Sequence, residues 1–130
     1  MKLRIQRNSL RLRISKSELA KFVETGQLQE TIYFGPEQGS ELTFSLTRDG
    51  NRAAVDAEAS AGQVNVVVPV EVARTWADSE QVGIDGVVDL GVRGILSILI
   101  EKDFACIDRS AEENVDTFPN PLAVAHGCQV

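Results

Sequence analysis

The chain is poor in several of the residues that chemistry most often uses. Its 130 residues include two cysteines, one histidine, one tryptophan and one tyrosine. Cys106 and Cys128 are too few for a disulfide framework, which points to a reduced, cytoplasmic setting. The single histidine, His126, lies near the C-terminus and leaves little for Ser-His or Cys-His nucleophilic catalysis. His126-Gly-Cys128, with only Cys106 elsewhere, is far from a zinc pattern, and Cys106 reads more simply as a small buried apolar residue. No run approaches the roughly 18 apolar residues that span a bilayer, and the alternating, charged N-terminus has no signal-peptide core. Gly83-Ile-Asp-Gly86 and Gly91-Val-Arg-Gly94 lack the strand-to-helix context of a phosphate loop. These absences lean away from an enzyme and give no reason to expect a cofactor or a membrane partner.

Positive charge is also scarce, with 13 Lys and Arg against 19 Asp and Glu and a net charge of −6. That balance argues against a general nucleic-acid binder, which needs a basic face for phosphate. The distribution is uneven, however. Residues 1–16 hold Lys2, Arg4, Arg7, Arg11, Arg13 and Lys16 and no acid, so this segment is +6 and the remainder −12. The basic segment is also strictly patterned: Leu3, Ile5, Leu10, Leu12 and Ile14 alternate with Lys2, Arg4, Arg11 and Arg13. Period two predicts a hairpin of strands Lys2 to Gln6 and Leu10 to Ile14, apolar on one face and cationic on the other. Its turn is Arg7-Asn8-Ser9, with Asn8 suited to positive φ.

Ser15-Lys-Ser-Glu18 is a capping box that opens a helix at 16–25, with Leu19, Phe22 and Val23 at helical spacing and Gly26 as its stop. Strands follow at 28–34 and 41–47, and Asp49-Gly50 predicts a hairpin into a strand near 53–59. Val64 to Val68 has little alternation and reads as a strand buried on both faces. Pro69 suits the start of a second helix, Val70 to Asp78, with Val72, Ala73 and Trp76 inward. A strand begins at 82–84, Val87 to Leu90 forms one arm of a Gly-interrupted hairpin, and Ile95 to Ile100 is apolar enough to be a central strand. From Asp108 the chain is acidic and aperiodic, with Phe118 able to anchor it before Pro119 and Pro121.

A shift of 54 residues lays Leu10-Arg-Leu-Arg-Ile14 over Val64-Asn-Val-Val-Val68. A one-residue slip at the helix start then sets Glu18-Leu-Ala-Lys21 against Glu71-Val-Ala-Arg74. The order predicts an α+β domain, residues 1–107, that divides into pseudo-repeats 1–49 and 50–107 of strand-strand-helix-strand-strand, followed by a tail at 108–130. Two helices would cover a largely antiparallel curved sheet or barrel of roughly eight strands.

Arg4, Arg11 and Arg13 are the candidate site, because the apolar alternation builds the strands without them. They would face an anionic ligand, an acidic protein partner or the chain's own acidic tail. Glu101 and Asp103, with Asp108, follow the apolar strand, where carboxylates hold a divalent ion, act as acid and base, or pair with arginine forks.

Two resemblances add to this reading. MKLRI, NSLRLRISKSE, WADSEQVGI, ILIEKDFACID and FPNP together resemble an uncharacterised family of small bacterial proteins, which implies a bacterial protein with no assigned activity. Locally, Asn8 to Ile14 with the short helix after it is similar to the N-terminal motif of AbrB and MazE swapped-hairpin DNA-binding domains. Gly62 to Arg74 is similar to a second form of that motif. That resemblance implies a DNA contact at Arg13, although Gln6-Arg7 replaces the usual aromatic-glycine pair and Ser15 a proline. Three readings result: a non-enzymatic binding domain, a swapped-hairpin DNA-binding regulator folded as a pseudo-dimer in one chain, and an anion-binding barrel enzyme with its arginines in a pocket.

Overall fold

The computed structural model describes residues 1–104 and 116–118. Strands β1 (Lys2–Gln6) and β2 (Ser9–Ile14) form the expected hairpin, with Leu3 opposite Leu12 and Arg4 opposite Arg11. Its turn differs from expectation: Arg7, at φ 51°, takes the positive φ. Asn8 instead donates from Nδ2 to the Ile95 carbonyl at 2.6 Å, so a tertiary bond decides the turn. Helix α1 (Lys16–Thr25) is capped as its sequence predicts. Ser15 Oγ accepts from Glu18 N, Ser15 N donates to the Glu18 carboxylate at 2.9 Å, and Gly26 at φ 80° ends the helix.

Strands β3 (Gln27–Tyr33), β4 (Glu41–Asp49), β5 (Asp56–Ser60) and β6 (Gln63–Pro69) follow, then helix α2 (Val70–Asp78) and strands β7 (Gly83–Asp89) and β8 (Ile95–Lys102). The eight strands form two four-stranded sheets, not one curved sheet or a closed barrel. Sheet A has the order β1-β2-β8-β7 and sheet B the order β3-β4-β6-β5. Four pairings are antiparallel, while the central pairs β2–β8 and β4–β6 are parallel. The Asp49-Gly50 hairpin is absent, because β4 and β5 lie on opposite edges of β6 and do not pair. Val66, Val67 and Val68 are all buried, and a strand buried in this way needs a neighbour on each edge to take up its backbone hydrogen bonds, which outweighs a local turn preference.

The N-terminal hairpin therefore pairs with β8, the last strand, and β4 pairs with β6. The two sheets share one register. Adding 54 to the β1–β2 partners Lys2 and Arg13 gives the β5–β6 partners Asp56 and Val67, and subtracting 54 from Ile98 and Glu101 in β8 gives Phe44 and Thr47 in β4. The helices obey the same offset, Leu19 and Phe22 being buried on α1 and Ala73 and Trp76 on α2. The one-residue slip expected at the helix start is thus not present. Val72, expected inward, is exposed, because Ala73 and Trp76 define the buried stripe.

One apolar cluster joins both sheets and both helices through Leu12, Ile14, Leu46, Val66, Val68, Ile98 and Ile100. Phe22 and Trp76 meet over it edge to face at 6.4 Å, and Trp76 Nε1 donates to the Val82 carbonyl at 3.1 Å. No described helix is long and apolar enough to cross a membrane.

Candidate functional site

Pleating sends Leu3, Leu10, Leu12 and Ile14 to the core and Lys2, Arg4, Arg11 and Arg13 to the outer face of sheet A. Parallel pairing with β8 then sets Glu101 directly beside Arg13 and Leu99 beside Arg11. Arg11 approaches Glu101 Oε1 through both Nε and Nη2 at 2.6 Å, and Arg13 Nε donates to the same oxygen at 3.0 Å. The Glu101 side chain is only 13% exposed, and those of Arg11 and Arg13 are 30% and 15%. Arg4 stands opposite Arg11 on β1, is exposed, and has no ion pair among the described residues. One carboxylate oxygen thus bridges two guanidinium groups, and Arg4 stands exposed beside them. Asp85 is on the same face but beyond Leu99, on β7.

Glu101 is thus a partner of the predicted arginines. Asp103 has a different one, accepting from Lys2 Nζ at 2.9 Å, with its side chain 6% exposed. Among the described residues no three His, Cys, Asp or Glu side chains are grouped to hold a metal. Cys106, Asp108, His126 and Cys128 lie outside the described residues. The barrel form of the site does not hold, because Arg4, Arg11 and Arg13 lie on the face of an open sheet.

Lys102 ends β8 on the inner side of the sheet, where Nζ donates to the Ser79 carbonyl at 2.7 Å and stands 5.7 Å from the Phe118 ring centre. Desolvation lowers its pKa, and Glu80 acts in the opposite sense. Phe118 stacks edge to face on Phe104 at 5.8 Å and its N–H donates to the Asp103 carbonyl, so it anchors the chain as expected. Asp116, just before it, accepts from Ser17 N at 2.8 Å and from the Ser17 hydroxyl at the start of α1. These bonds hold its carboxyl below the usual range. No local pattern in the sequence signals that contact.

Comparison with known sequences gives one assignment. The pattern of a family of unknown function, DUF7009, matches residues 1–122. The chain belongs to the DUF7009 family. The match covers both sheets, both helices, Phe118 and the segments from MKLRI to FPNP that pointed to an uncharacterised family. DUF7009 membership brings no activity with it. No curated protein and no solved structure matches this DUF7009 chain.

Proposed function

We propose that this DUF7009 chain is a non-enzymatic binding domain whose N-terminal hairpin presents Arg4, Arg11 and Arg13 to an anionic partner. The observation that carries this reading is the shared Glu101 oxygen, which holds Arg11 and Arg13 side by side on the face where Arg4 is exposed. Arginine forks fixed in this way lose little further side-chain freedom on meeting a carboxylate or phosphate. The few cysteines favour a cytoplasmic setting, and the resemblance favours a bacterial one.

The same reading treats the chain as a duplicated unit, residues 1–49 and 50–107. The support is the common register at an offset of 54 and the equivalent helix burial. The two outer faces have then diverged: Asn65 and Val67 stand where Arg11 and Arg13 stand, and Thr47 where Glu101 stands.

A second reading, the swapped-hairpin DNA-binding pseudo-dimer, is favoured by the exchange of hairpins between halves. Binding to poly-glutamate and to duplex DNA at low salt separates the two. On the first reading poly-glutamate binds and Arg4→Ala with Arg11→Ala abolishes it. On the second, duplex DNA binds with a steep salt dependence and Arg13→Ala is the damaging change. No retention on either polyanion ends both. Tighter poly-glutamate binding after Asp108, Glu112 and Glu113 are changed to amides would identify the acidic tail as a competitor for the face.

A further inference from the structure

Sheet B has an outer face of a different chemistry. Cross-strand pairing puts Gln29, Ser45 and Asn65 in one row and Thr31, Thr43 and Gln63 in the next. Gln27, Gln29, Thr43, Ser45, Gln63 and Asn65 line a groove of about 240 Å³. No lining residue is ionisable, in a chain of which 25% is charged, and Glu58, which ends the Asn65 row on β5, is ion-paired with Arg52, so the groove complements a ligand without charge. It has hardly any apolar lining either, so an apolar ligand would leave its amides and hydroxyls unpaired at a cost.

The hydrogen bonds within the groove set what it offers. Asn65 Oδ1 accepts from Ser45 Oγ at 2.8 Å and from Thr47 Oγ1 at 2.9 Å. That fixes the Asn65 amide and leaves its Nδ2 without an acceptor among the described residues. Ser45 and Thr47 have spent their protons on Asn65 and keep lone pairs to accept with. Gln27, Gln29 and Gln63 are exposed, and each adds an amide donor beside an amide acceptor. Paired donors and acceptors of this kind match vicinal hydroxyls, each of which donates and accepts. On the same face of β3, Tyr33 is 73% exposed and offers a flat apolar ring to sugar C–H groups. It lies four residues from Gln29, about 13 Å along the strand, which is the span of several sugar units. We propose that the outer face of sheet B binds a neutral oligosaccharide, with Asn65, Gln29 and Gln63 at its centre and Tyr33 at one end.

The test is an NMR titration of the full, isotope-labelled chain with maltotetraose, cellotetraose, chitotetraose, mannotetraose and xylotetraose, each to about 10 mM. The expected result is that at least one sugar moves the side-chain amide signals of Asn65, Gln29 and Gln63 saturably, with Kd between about 10 μM and a few mM. Gln29→Ala and Gln63→Ala, at exposed positions that leave the core intact, should each weaken that binding about tenfold, whereas Arg4→Ala should not change it. The proposal is overturned if none of the five sugars gives a saturable shift, or if both glutamine variants bind as the parent does. It is also overturned if the same signals move with protein concentration alone, which would make the face a contact between copies of the chain.

Discussion

Arg48 and Lys102, 54 residues apart, each cap the C-terminus of a helix. Arg48 Nη1 donates to the Val23 carbonyl of α1 at 2.8 Å, and Lys102 Nζ donates to the Ser79 carbonyl after α2 at 2.7 Å. Neither helix has a basic residue in its own last turn, so β4 and β8 each supply the cation that favours the negative end of the helix dipole. Arg48→Ala and Lys102→Ala should each lower stability by roughly 1 kcal/mol, as read from urea denaturation. Equal stability of both variants with the parent would show that the contacts are incidental.

The buried position of Lys102 adds a pH dependence. Folding lowers its pKa below the ordinary lysine value, so between the folded and unfolded values the unfolded chain binds more protons and stability rises with pH. That contribution is complete above the unfolded value. Lys102→Met should flatten the alkaline side of the stability profile, and an unchanged slope would contradict the assignment.

Glu101 is a structural group and also tunes the charge of its face. Glu101→Gln keeps the shape but removes the charge that Arg11 and Arg13 share, with an expected loss of about 1–3 kcal/mol. The outer face becomes more positive by one charge, so poly-glutamate should bind more tightly even as the melting temperature falls. A variant with weaker binding would place Glu101 in the recognition surface itself.

Gly86 marks where β7 passes close to the chain entering β5. A Cβ at this position would lie 2.7 Å from both Cβ and Cγ1 of Val55, and that Cβ is fixed to the backbone and cannot swing away. Gly86→Ala should cost about 1–3 kcal/mol, and Val55→Ala in the same chain should restore part of it. Strictly additive losses in the double-mutant cycle would refute the contact.

Asp116 ties a distant segment to the first turn of α1. Its carboxyl is held low, chiefly by hydrogen bonds from the Ser17 side chain and backbone, so its contribution is present above the unfolded carboxylate value near 4. It is lost as the pH falls through the lower folded value. Asp116→Asn should lose part of that acid-sensitive stability, seen as a shallower fall below about pH 4 in thermal melts. Backbone amide exchange at Lys16 and Ser17 should quicken in the same variant.

The sequence alone determined the local elements, because their causes are local. The Ser15–Glu18 capping box and Gly26 bound α1, and the alternation from Leu3 to Ile14 made a hairpin with its cations on one face. Ile95 to Ile100 and Val64 to Val68 were legible as central strands from their continuous apolar character, and each lies at the middle of its sheet. Tertiary structure decided how these pieces join. Asp49-Gly50 carries a strong hairpin signal, yet β6 separates β4 from β5, because β6, buried through Val66 to Val68, takes up its backbone hydrogen bonds with a neighbour on each edge. Arg11 and Arg13 could be identified as an excess of charge from composition, but their shared oxygen on Glu101, about 90 residues away, exists only through the parallel β2–β8 register. The groove of sheet B is not legible in the sequence for the same reason. Thr43, Ser45 and Asn65 are ordinary polar residues in alternating strands, and only the pairing of β3, β4 and β6 gathers them into one surface.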